Sequence, residues 1–254
     1  MGRMNEAAVH VGHDLEAWLF DLDGVLTRTA DLHASAWQQT FDRYFEREGS
    51  RRRFDLGQDY LRYVDGRPRA DGIRTYLATV GTVLPEGDPG DAPDARTVYG
   101  LASAKNVLFL ELLEHQGVSV YETSIDFVRI LLGNGVRTAV VSASENTEAV
   151  LHRAGITDLF EVVVDGVVSR RRHLAGKPAP DSYLEAARQL AVTPARAAVV
   201  EDAVAGVIAG RTGRFALVVG VDRTTSTDDS DQEQALRAAG ADVVVHDLGD
   251  LVAR

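Results

Sequence analysis

Cysteine is absent from all 254 residues. That one absence removes disulfides, thiolate metal sites and thiol nucleophiles together. Also missing is any apolar run approaching the roughly 18 residues of a membrane span. Basic charge is in deficit, with 27 Lys and Arg against 38 Asp and Glu and a formal net charge of −11. Such a balance argues against nucleic-acid partners, which need a basic face, but leaves room for local patches that catch a small anion. The first sixteen residues lack the apolar core of a signal peptide, and "MGRMNE" puts Glu6 where a myristoylation motif wants Ser or Thr. A cytoplasmic location with no membrane attachment is the expectation.

What is present is a rhythm. Six short apolar runs rich in Val, Ala, Leu and Phe, at 17–20, 137–141, 161–164, 197–200, 215–221 and 242–245, read as buried strands. Helical patterns at 123–133, 145–154, 180–190 and 231–239 separate most of them, and Gly135 and Gly240 read as helix stops. The alternation predicts an α/β fold with a parallel sheet covered by helices on both faces. Residues 30–112 break the rhythm: they read as mostly helical, with a Gly-, Pro- and Asp-rich loop at 81–95. "GNGVRT" at 133–138 leads into a strand where a dinucleotide loop would follow one, so it is set aside.

In an open parallel sheet, ligands bind beyond the carboxyl ends of the strands. Asp21 and Asp23 follow the first strand in "WLFDLDGVLT", Ser142 ends "TAVVS", Lys177 lies in "GKPAPD" after the 161–168 region, and Glu201 and Asp202 end "AAVVED". Carboxylates gathered in one crevice repel one another unless a cation sits among them. Oxygen ligands with no His or Cys nearby favour Mg²⁺ over zinc, with Asp21 and Asp202 as direct ligands and Glu201 in a weaker or outer role. A metal attracts phosphate; Lys177 and the Ser142 hydroxyl can hold phosphoryl oxygens, Asp21 can attack phosphorus, and Asp23 can carry the proton. Gly24 allows the chain to turn away from the strand. Singly, each signal has a plain reading: an Asp after a strand is most often a turn or cap residue, and a Lys-Pro a loop start. Their occurrence together, in order, outweighs those readings.

"FDLDGVLT", "VVSAS", "GKPAPD" and "VVEDAVAG" resemble, in order, the four motifs of the haloacid dehalogenase-like phosphotransferase superfamily. The resemblance implies a Rossmann-like core, 1–29 with 113–254, carrying an inserted helical cap domain at 30–112. It also implies Mg²⁺ bound by Asp21, the Asp23 backbone carbonyl and Asp202. Thr29, His33 and Trp37 resemble the pattern of the β-phosphoglucomutase subfamily, in which the His, linked to a cap Lys, couples cap closure to the acid/base Asp. Trp37 on its own reads as core. "VDGRPRADGIRTYL" at 64–77 resembles the substrate-specificity loop of that subfamily, with Arg69 as a clamp for a second phosphate. "ASAKNV" at 102–107 resembles the segment of the cap Lys, here Lys105, and "SASEN" implies substrate contacts at Ala143, Ser144 and Asn146. Arg67, Arg74, Arg51–Arg53 and Arg170–Arg172 read as solvated charge. Arg28, Glu145 and Asp65 depart from the subfamily, which often has Asp, Lys and a basic residue there.

The expected function is Mg²⁺-dependent phosphoryl transfer on a sugar phosphate through an aspartyl-phosphate, with β-phosphoglucomutase activity first. A sugar-phosphate phosphatase shares every core residue, and a non-catalytic phosphosugar-binding module would have lost Asp21 or Asp23. A monomer is expected.

Overall fold

In the computed structural model, residues 15–223 and 230–252 are described. Residues 1–14, on which most of the signal-peptide and myristoylation reading falls, lie outside the described residues. The chain runs β1 (Ala17–Phe20), α1 (Ala30–Arg47), α2 (Arg69–Thr79), α3 (Val98–Gln116), α4 (Glu122–Gly133), β2 (Arg137–Val141), α5 (Thr147–Ala154), β3 (Val162–Val164), α6 (Gly166–Arg172), α7 (Asp181–Gln189), β4 (Ala197–Glu201), α8 (Val204–Thr212), β5 (Leu217–Val221), α9 (Ser230–Ala239) and β6 (Val243–Val245). It divides into two compact units, Met1–Arg28 with Ser119–Arg254, and Thr29–Val118. No helix among the described residues is long and apolar enough to cross a membrane.

The first unit is built on a six-stranded, all-parallel sheet in the order β3-β2-β1-β4-β5-β6. Ala17 to Phe20 are wholly or almost wholly buried, as are Ala197 to Glu201. Strands covered on both faces need apolar side chains at every position, which is why they read as continuous runs. One face packs Leu19, Val141 and Val199 against Tyr183, Ala186 and Ala187 of α7. Trp18 meets Phe127 of α4 edge-on at 5.0 Å. The register aligns Phe20 with both Val140 and Val200, and the Asp21 amide extends the ladder by donating to the Val200 carbonyl at 2.9 Å. The first polar residues of β1, β2 and β4 therefore emerge at one edge of the sheet.

Two helices of the first unit stand where the sequence reading named none: α8, between β4 and β5, and α6. Between β3 and Lys177 stands α6, capped by the Asp165 carboxylate, which accepts from the Val168 amide at 2.8 Å. Its short length and three consecutive arginines hid it from periodicity. Those arginines are also not simply solvated: Arg170 pairs with Glu145, and Arg172 pairs with Glu185 at 2.6 Å. Glu185, on α7, also takes a two-pronged bond from Arg188 at 2.8 Å and one from Gln189 at 2.8 Å. Arg188, with Gln189 and Arg172, lowers the Glu185 pKa to about 2. A depressed carboxylate stabilises the fold above its ordinary pKa and loses that contribution as pH falls through the folded value. Glu185→Gln is therefore expected to melt a few degrees below the unmodified chain at neutral pH. The gap should close between pH 4.5 and about 2 in thermal melts across that range.

The second unit has its own core. On α1, Leu32, Ala36, Trp37, Thr40, Phe41, Tyr44 and Phe45 form one buried stripe at helical spacing. Phe41 stacks on Phe54 at 4.9 Å and meets Tyr76 edge-on at 4.5 Å. A π-helical segment, Leu56–Val64, precedes α2. The expected boundary at 112 falls inside α3, whose pattern runs on to Gln116 and stops at Gly117, φ +73°.

Candidate active site

At the sheet edge, Asp21 leaves β1, Glu201 closes β4, and Asp202 follows. One carboxylate oxygen of each lies within 4.8 Å of the others. Lys177 reaches them from the loop before α7, beside a cis peptide to Pro178, rather than from a strand outlet. Its ammonium donates to Asp21 Oδ1 at 2.5 Å, Glu201 Oε1 at 2.5 Å and the Val141 carbonyl at 3.1 Å. An ammonium has three donors, and all three are engaged. Toward a phosphoryl group Lys177 thus offers close positive charge instead of a free N–H.

The electrostatics are one-sided. Burial disfavours the Lys177 ammonium, but Asp21 and Glu201 outweigh it and hold its pKa above the ordinary value. Asp21 goes the other way from a simple ion pair. Burial pushes it well above the carboxylate range, and Glu201 and Asp23 add to that against the pull of Lys177. One ammonium does not balance this many carboxylates. An all-oxygen donor set short of positive charge fits a hard divalent cation.

Glu201 is fully buried. Its Oε1 also accepts from the Tyr183 hydroxyl at 2.8 Å, and Oε2 from the Ala203 amide at 3.2 Å. Burial, with Glu201 and Asp21, holds the Tyr183 phenol well above its usual range, so it stays a donor. Both Glu201 oxygens have protein partners, which suits an outer role. Gly24, at φ +85°, sits against Asp202: a Cβ there would run into that carboxylate.

Ser142 is buried at the end of β2, its amide bonded to the Val164 carbonyl at 3.1 Å. Its hydroxyl accepts from the Ser144 amide at 3.1 Å, which leaves the hydroxyl proton to donate elsewhere. Ala143, Ser144 and Asn146 follow in a half-buried loop, where Ser144 Oγ accepts from the Asn146 amide at 3.1 Å. Glu145 carries the Arg170 ion pair. Asp23 is half-buried in the turn after β1, bridged to Thr27.

The other expected residues belong to the second unit. Thr29 is buried immediately before α1. Lys105 of α3 is buried, 2.5 Å from His33 Nδ1 and over the rings of Phe109 and Trp37 at 4.8 and 5.3 Å. An ammonium donating to Nδ1 places the imidazole proton on Nε2. Arg69 donates to the Ala102 carbonyl on α3 at 3.2 Å. Arg74 pairs with Asp71 and Glu86.

Two residues escaped the sequence reading. Tyr183 stands at a core-facing helix position, where only its hydroxyl distinguishes it from Phe. Arg223 follows the carboxyl end of β5 in "VGVDR", and the strand-outlet rule applied to that fifth strand would have drawn attention to it.

The profile described as haloacid dehalogenase-like hydrolase matches residues 15–213. A Mycobacterium bovis protein described as beta-phosphoglucomutase is 46% identical over 243 residues, covering 94% of this chain and 92% of its own. A Mycobacterium leprae trehalose-phosphate phosphatase is 38% identical over 133 residues, 52% of this chain and 29% of its own. The crystal structure of a Clostridium difficile beta-phosphoglucomutase superposes with a TM-score of 0.71 at 23% identity, covering 93% of each chain.

Proposed function

The chain belongs to the haloacid dehalogenase-like hydrolase family, and we propose that within it the protein is a β-phosphoglucomutase-type phosphotransferase, interconverting β-glucose 1-phosphate and glucose 6-phosphate. The observation that carries the choice of reaction is the 46% identity, over almost the full length of both chains, to a protein of that description. The Asp21, Lys177, Glu201 and Asp202 grouping supports the underlying phosphoryl transfer.

In this reading Asp21 attacks phosphorus. Its O–P bond forms as the P–O bond to the sugar breaks, and Asp23 passes its proton to the departing oxygen. The 6-hydroxyl of β-glucose 1-phosphate, relieved of its proton by Asp23, then takes the phosphoryl group from Asp21, giving the 1,6-bisphosphate from which Asp21 is phosphorylated again. Lys177 fixes one oxygen of Asp21 and places positive charge beside it, while the Ser142 hydroxyl donates to a phosphoryl oxygen. Asp21, Asp202 and the Asp23 carbonyl are the proposed Mg²⁺ ligands, with Glu201 in an outer role. Mg²⁺ there supplies the charge neutralisation that admits a phosphate among carboxylates. Thr29, His33, Lys105, Arg69, Ala143, Ser144 and Asn146 are the proposed determinants of which hydroxyl receives the group, and the enzyme is proposed to work as a cytoplasmic monomer on a small sugar phosphate.

Incubation with β-glucose 1-phosphate and a trace of the 1,6-bisphosphate tests the reading. Glucose 6-phosphate is expected to accumulate with little free phosphate. Stoichiometric phosphate with no isomer overturns it in favour of the runner-up, a sugar-phosphate phosphatase. The partial likeness to a phosphatase and the acidic Glu145 support that second reading. A non-catalytic binding module is disfavoured by the presence of both Asp21 and Asp23.

A further inference from the structure

The turn that carries Asp23 is closed from within. The Gly24 amide donates to the Thr27 carbonyl at 2.8 Å, and the Leu26 and Thr27 amides both reach the Leu22 carbonyl at 3.0 Å. The carbonyls of Gly24 and Val25 point away from this inner set, and both meet Arg223. Its Nε donates to Gly24 O at 3.3 Å and its Nη2 to Val25 O at 3.4 Å. The same Nη2 donates to Ser124 Oγ at 2.8 Å, while Nη1 donates to His246 O at 2.9 Å and Asp247 Oδ2 at 3.0 Å. A guanidinium has five N–H donors, and here five acceptors meet them. The plane also lies 3.9 Å from the centroid of the Tyr121 ring. Only 15% of the side chain is exposed. Surface arginines do not satisfy every donor this way, because ordering so long a side chain costs rotamer entropy.

We propose that Arg223 is a positioning residue for phosphoryl transfer: it clamps the Gly24 and Val25 carbonyls and so sets the direction of the Asp23 carboxyl one residue upstream. The inference rests on the reading of Asp23 as the proton donor. In the step concerned, an Asp21 oxygen bonds to phosphorus, the P–O bond to the sugar breaks, and the Asp23 proton goes to the sugar oxygen. A leaving group that departs without a proton does not need Asp23 in place.

The test uses that difference. The full-length chain, in Mg²⁺, is phosphorylated at Asp21 by labelled glucose 1,6-bisphosphate, whose alkoxide needs a proton, and by labelled acetyl phosphate, whose acetate does not. Rapid quench gives the rate of each. Arg223→Met is expected to lose about 10²-fold with the bisphosphate and to stay within about threefold with acetyl phosphate, the size that a misdirected acid produces. Asp23→Ala is the control and should show the same pattern more strongly. Should Arg223→Met not fold by thermal melt, Arg223→Lys, which keeps the charge and loses the fork, carries the same readout. Equal losses with both donors, or no loss with either, overturn the inference while Asp23→Ala still discriminates. If Asp23→Ala itself fails to discriminate, the proton-donor reading falls first and takes the inference with it.

Discussion

Asp21→Asn is expected to lower turnover by at least about 10⁴-fold, because on the proposed route it removes the atom that bonds to phosphorus. Folding should not suffer. Asp21 is buried beside Glu201 and Asp23, and burial already pushes its carboxyl well above the ordinary range. Replacing it with a neutral amide of the same shape removes one of several competing acidic groups, while Lys177 keeps Glu201 as a partner. The melting temperature should hold or rise as turnover disappears. Steady-state assays with the sugar phosphate and thermal melts of the same preparation check both halves. Turnover at the level of the unmodified chain would refute an aspartyl-phosphate route.

Lys177→Met has the opposite character, since it should damage the fold as well as the chemistry. The Lys177 side chain is 2% exposed, Glu201 0% and Asp21 8%. Its removal leaves two carboxylates facing each other away from water. Breaking a buried ion pair from one side costs about 3–5 kcal/mol. For a domain of this size that is a fall in melting temperature of about 10 °C. A double variant separates charge from packing: adding Glu201→Gln to Lys177→Met removes one unpaired carboxylate and should recover part of the loss. Urea titrations with a chelator present measure the cycle. A double variant no more stable than Lys177→Met would show that packing, not charge, makes Lys177 important.

The strands were legible because burial on both faces leaves a run such as "AAVV" no polar position. The grouping of Asp21, Glu201 and Asp202 was legible because polar residues ending such runs stand out. Lys177 was legible as a residue and less so in its role: nothing in "GKPAPD" reveals that all three donors are engaged inside the protein. α6 was hidden by its shortness. Tyr183 and Arg223 act through partners distant along the chain, Glu201 for the first and Gly24, Val25, Ser124 and Asp247 for the second, and single-sequence patterning carries no trace of such pairings.

The strand order also dictates a timetable. β1 is made first, yet Ala17 pairs with Arg137 on one side and Ala197 on the other. Loop-closure entropy has to be met before such distant partners reward it. As the chain leaves the ribosome, every residue of the aromatic core around Phe41, Phe54 and Tyr76 has been made before the first neighbour of β1. Asp21 therefore stands at the end of an unpaired apolar strand until Arg137–Val141 have been made. The sheet edge that gathers Asp21, Glu201 and Asp202 is complete only once β4 is in place, long after Asp21 itself has been made.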